Sequence, residues 1–111
     1  MAVKKPGART AVLSNPPVVL CGANAAGRME GEGPLSACLD YVDGDDAFGE
    51  STWERSERAM QQKALALALK KAGLTAQQLD ALFAGDLLNQ CVSSSFAARD
   101  QKIPFFGLYG A

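Results

Sequence analysis

The stretch LFAGDLLNQ (residues 82–90) holds the residues of this chain best placed to do chemistry. Ala81 to Ala84 is a short apolar run that reads as a strand, and Gly85 and Asp86 follow at its carboxyl end. Ligands of open α/β sheets bind in the crevice outside the carboxyl ends of parallel strands. Asp86 is therefore expected on a functional rim, with the side-chain amides of Asn89 and Gln90 beside it. These three form the predicted ligand-binding set. A purely structural role competes with it, because a carboxylate after a strand also accepts backbone amides as a turn or helix cap.

Other constellations fail on spacing. The glycine-rich loop GANAAGRMEGEG (22–33) lacks the G-x-G-x-x-G pattern and no GK[ST] follows, so it reads as a flexible connection with close backbone packing. Asp43, Asp45 and Asp46 resemble the start of a calcium loop. Their glycine, however, falls between the first two acids instead of at the sixth position, which leaves a solvated acidic loop. Ser93 to Ser95 sit in no G-x-S-x-G elbow, and the chain has no histidine to act as a base. A helix cap is the expected use of these serines. Cys21, Cys38 and Cys91 are odd in number, widely spaced and without a CxxC pair. They are expected to be three buried thiols packing as small hydrophobes in a reducing compartment, with no metal site and no cofactor.

Composition bounds the class. The 111 residues are 48% hydrophobic and 21% charged, with a net charge of −1. A disordered acidic tail and a basic nucleic-acid arm are both excluded by that balance. Two lysines and an arginine open the chain, but Asn15-Pro16-Pro17 interrupts the apolar stretch behind them, so no signal peptide is expected. No run approaches the roughly 20 apolar residues of a membrane span.

The elements that must position Asp86 follow from pattern. Residues 1–9 read as a mobile lead, and 10–111 as one α/β unit. Ala11–Leu13 and Val18–Cys21 are β-prone pieces split by Pro-Pro, a break suited to a sheet edge or corner. PLSACLDYV (34–42) suggests a short helix with Pro34 at its first position. The strongest element is a helix from Thr52 to Ala72, with Ser51 and Glu54 as a capping box. On it Trp53, Met60, Ala64, Leu67 and Ala68 can share one face. Lys70 and Lys71 suit its C-terminal dipole, and Gly73 its left-handed stop. Thr75 and Gln78 repeat the capping box. SSSFAARDQK (93–102) reads as a serine-capped helix, and IPFFGLYGA (103–111) as a second central strand. Strand, helix, strand, helix, strand predicts parallel pairing through crossovers.

Four segments together, AAGRMEGEGPL, TWERSERAMQQKAL, LFAGDLLNQ and ARDQKIPFFGLYGA, resemble the opening region of the stage V sporulation protein AD family. The likeness runs from about Pro16 to Ala111. It implies an incomplete thiolase-like half with parallel strands and flanking helices, since full-length members build two such halves. It implies as well that the reactive cysteine of thiolase-like proteins would follow directly after Ala111, so that this chain is not expected to be an enzyme. The family is linked to binding dipicolinic acid and to its uptake into the developing spore. The expected partners are therefore dipicolinic acid, with calcium as a bridging ion, other stage V sporulation membrane proteins, and a second copy in the full-length form. The expected location is cytoplasmic, peripheral to the forespore or spore inner membrane. A thiolase-like acyltransferase or condensing enzyme is the alternative.

Overall fold

A computed structural model describes residues 3–109. Its longest element, α2 (Trp53–Ala72), is set by its ends. Thr52 is the N-cap, and its hydroxyl accepts from the Arg55 N–H at 3.3 Å, while Glu54 lies in the first turn. The cap thus falls one residue after the expected Ser51, whose hydroxyl instead accepts from the Arg55 guanidinium. Lys70 and Lys71 occupy the last turn, and Gly73 (φ 67°) ends the helix in the left-handed region, donating to the Leu69 and Lys70 carbonyls. The Thr75–Gln78 capping box forms as expected.

Strand β3 (Leu82–Ala84) pairs in parallel with β4 (Phe105–Gly107), in the register Leu82 with Phe105 and Ala84 with Gly107. Helix α3 (Val92–Arg99) connects them and packs against α2 and both strands. The expected parallel crossover is therefore present, although the last strand is only three residues long. The end of the expected 103–111 strand, Gly110 and Ala111, lies outside the described residues. Two close approaches fix this unit. A Cβ on Gly85 would lie 2.7 Å from the Leu108 carbonyl oxygen, and one on Gly107 would lie 2.8 Å from Cys91 Sγ.

The first quarter of the chain departs from the sequence reading. Within the stretch read as a lead, β1 (Val3–Gly7) pairs antiparallel with β2 (Thr10–Leu13) as an exposed hairpin. Val18–Cys21 is not a strand, because among the described residues no strand lies alongside to pair with it. Side chains tether this region instead. Cys21 Sγ donates to the Ala68 carbonyl at 3.4 Å, and Lys71 Nζ reaches the Gly22 carbonyl at 3.0 Å and Asp40 at 2.6 Å. Asn24 and Asp40 exchange backbone-to-side-chain bonds of 3.0 and 2.7 Å. A parallel bridge joins Ala26 to Val42.

Inside the glycine-rich loop, Arg28–Gly31 forms a single helical turn, α1. The PLSACLDYV helix reduces to a 3-10 turn over Ser36–Cys38. The acidic loop closes on itself: Asp43 accepts from Asp45 N–H, and Asp45 from Ala47 and Gly49 N–H. Local amides use Asp43 and Asp45, while Asp46 Oδ1 accepts from the Met29 N–H at 3.1 Å, tying the acidic loop to α1.

The buried set consists of small residues. Ala26, Ala76, Cys91, Ala97 and Ala98 are its apolar members, and Ser93 and Ser94 are the largest side chains fully enclosed. Only one thiol, Cys91, is buried; Cys21 is half-buried and Cys38 exposed, contrary to the expectation of three buried thiols. Trp53 is also exposed, off the packed face of α2. Phe83 and Phe106 stack with ring centroids 4.9 Å apart on the open face of β3–β4, at 61% and 51% exposure. The chain shows 8022 Å² of surface, against roughly 5,800 Å² for a compact monomer of its mass. Its radius of gyration is 16.3 Å, where about 13 Å is usual for this length. The shape is elongated, with extents of 47 × 29 × 29 Å, and several large apolar side chains stay exposed.

Candidate functional site

Asp86 lies directly after β3, at the strand's carboxyl end, and is 6% exposed. Its surroundings explain that burial. Helix α3 begins from Cys91, held in the left-handed region (φ 60°) with no side-chain cap bond of its own. Asp86 Oδ2 supplies the cap from the preceding loop, accepting from the Ser94 N–H at 2.8 Å. A carboxylate here also meets the positive end of the helix dipole. The serines themselves do not cap. Ser93 and Ser94 are buried inside the first turn, and Ser93 Oγ donates across to the Glu54 carbonyl at 3.1 Å.

Helix α2 braces the same connection. Glu57 Oε1 accepts from the Leu87 N–H at 3.3 Å, and Gln61 Nε2 donates to the Gly85 carbonyl at 3.4 Å. Four residues apart, they share one helix face. Cys91 Sγ faces the Leu108 carbonyl at 3.7 Å. A hydrogen bond to Cys91 and the neighbouring charges of Cys91 and Asp86 push the Tyr109 hydroxyl above its ordinary pKa, with desolvation adding to the rise. Strand ends, helix start and α2 converge on one polar knot.

Three buried oxygens of that knot have no hydrogen-bond partner: Asp86 Oδ1, Ser94 Oγ and Glu57 Oε2. Buried polar atoms of native proteins are nearly always paired, with protein, water or ligand. Of these three residues Ser94 lines a cavity of about 360 Å³ with largely apolar walls, including Leu65, Leu82 and Leu108, into which Gln61 also brings a polar group. The arrangement can accept hydrogen bonds from a ligand, or supply carboxylate oxygens to a hard cation. Among the described residues no group of three or more Cys, Asp or Glu is gathered to hold a metal unaided, so a cation here would need oxygens from a ligand.

Asn89 and Gln90 are exposed in the turn before α3, where the Asn89 carbonyl accepts from Val92 N–H at 2.9 Å. The structure thus buries one member of the predicted set and leaves the other two at the surface. Sequence reasoning does not reach Glu57, Gln61, Ser94 or Tyr109 as members of the site. Their positions depend on which face of α2 meets the end of β3 and on how β4 returns beside Cys91. The short gap from Asp86 to the serine run is the only local signal.

With this geometry in hand, comparison with known proteins is specific. Residues 7–111 match the family described as Stage V sporulation protein AD. The chain is similar to the Stage V sporulation protein AD of Bacillus subtilis (strain 168), with 38% identity over 109 residues. That alignment takes in 98% of this chain and 32% of the relative, so the chain spans about a third of the relative's length.

Proposed function

We propose a function from one premise: the chain belongs to the stage V sporulation protein AD family. Within it, the chain is the portion of a thiolase-like fold that carries one wall of a dipicolinic acid site, used for binding and uptake into the spore and not for catalysis. A single observation carries this reading to residues. Asp86, at the carboxyl end of a parallel strand, is buried with one oxygen unpaired, and Gly85, which precedes it, and Ser94, which it caps, line an open cavity.

Dipicolinate bears two carboxylates, and a bare aspartate would repel it. A calcium ion bridging Asp86 to the ligand removes the conflict. Calcium favours oxygen ligands, and the unpaired Asp86 Oδ1 offers one. Asn89 and Gln90, exposed at the rim, would close over the bound acid with their amides.

The test is genetic and chemical. A chimera in which this chain replaces the matching third of the B. subtilis relative should restore dipicolinic acid to spores lacking that relative, and Asp86→Ala should not. Normal accumulation with Asp86→Ala would remove the assignment. A second reading, a thiolase-like acyltransferase, predicts acyl-CoA turnover by the chain with Cys91, its buried thiol, as nucleophile. Turnover abolished by Cys91→Ser would favour that reading, whereas the binding reading expects none.

A further inference from the structure

Two carboxylates meet in the polar knot at the end of β3, and no cation of the chain offsets either. Asp86 comes from the β3–α3 connection and Glu57 from α2. One oxygen of each is spoken for: Asp86 Oδ2 accepts from the Ser94 N–H, and Glu57 Oε1 from the N–H of Leu87, the residue after Asp86. The ion pairs among the described residues join Arg28 to Glu32, Arg58 to Asp100 and Lys71 to Asp40, and none reaches Glu57 or Asp86. The second oxygens, Asp86 Oδ1 and Glu57 Oε2, are buried and unbonded, as is Ser94 Oγ. Asp86 is 6% exposed and Ser94 0%. Buried charges are paired or coordinate metals. The α3 dipole offsets part of the Asp86 charge and none of the repulsion between the two acids. A trapped water would donate two hydrogens and bring no charge.

We infer that Glu57, Asp86 and Ser94 together hold a divalent cation of the calcium type. Two carboxylate oxygens balance its charge, and the Ser94 hydroxyl adds a neutral oxygen. Calcium takes about six to eight oxygens in an adaptable shell, so three protein atoms leave the remainder to water or to the carboxylates of a bound acid. Ser94 is also a wall of the neighbouring cavity, the side from which an ion or an acid reaches it. With only two charged ligands, the affinity for the ion alone is modest. The acidic loop does not compete for this role, because Asp43, Asp45 and Asp46 already accept from Tyr41, from local amides and from Met29. The inference rests on the calcium-bridged reading of Asp86 and adds Glu57, a residue of α2, as the second charged ligand.

Amide NMR of the 111-residue chain, titrated with calcium chloride alone at constant ionic strength, tests it. Calcium should shift the Leu87 and Ser94 amides and leave those of Asp45, Ala47 and Gly49 in place. Glu57→Gln keeps an oxygen for the Leu87 N–H but loses the charge, and should weaken calcium about tenfold, the worth of one charged contact. Asp86→Asn should do the same, whereas Glu54→Gln, an exposed acid on the same helix, should change nothing. Unchanged calcium affinity in Glu57→Gln, with α3 amides still protected, would overturn the proposal. So would shifts confined to the acidic loop, or none at Leu87 and Ser94 up to about 10 mM, above the range of weak calcium modules. Those results would leave the Asp86 reading standing, since the dipicolinic acid content of spores decides it separately.

Discussion

Asp86 Oδ2 lies 2.8 Å from the backbone nitrogen of Ser94, so the predicted ligand residue is also the N-terminal cap of α3. The structural and ligand roles are compatible because a carboxylate has two oxygens, and the second has no partner. Asp86→Ala should cost about 1–2 kcal/mol through the lost cap. Asp86→Asn keeps an acceptor oxygen and should cost less. Hydrogen exchange at Ser94 reads this directly: faster exchange is expected in the alanine variant, and unchanged exchange would dissolve the capping role.

The order of the Asn24–Asp40–Lys71 clamp should depend on pH. The bond from the Lys71 ammonium, then that from the Asn24 amide, holds the Asp40 carboxyl below its ordinary value. A depressed folded-state value contributes above the unfolded value near 4, and is lost as pH falls through the lower folded-state value. The clamp should therefore stay intact at about pH 5 and open in stronger acid. Carbon-13 titration of Asp40 checks this, and Lys71→Met should return its midpoint toward about 4.

The stacked Phe83–Phe106 pair predicts association. Uncovered apolar faces and open strand edges favour contact between chains. The isolated chain should self-associate and melt broadly, and Phe83→Lys with Phe106→Lys should reduce its sedimentation coefficient toward that of a monomer. A sharp cooperative melt of monomeric wild type, with native-like amide protection, would contradict this.

What sequence made legible was local. Helix α2 could be placed to within one residue because capping, dipole and glycine stop all lie within the segment itself. The β3–α3–β4 unit was visible for the same reason, as alternating short apolar runs and a polar helix. The failures involve partners. Val18–Cys21 has strand-like composition, but a strand exists only when another lies alongside. Cys38 and Trp53 looked like core residues, yet burial depends on what covers a face. The strand pattern was enough to put Asp86 after β3, whereas its bond to Ser94 required knowing how α3 turns back over the strand end. Composition placed Ser93–Ser95 at a cap; the actual cap came from a residue outside the helix.

Calorimetry of dipicolinate binding to the chimera, with and without calcium, tests the central claim most directly. The wild type should bind, and more tightly with calcium. If calcium bridges, both Asp86→Asn and Asp86→Ala should weaken binding in its presence by about tenfold or more, the worth of a lost charged contact. Binding as tight as wild type in both variants, under both conditions and with α3 amides still protected, would leave Asp86 a helix cap and nothing more.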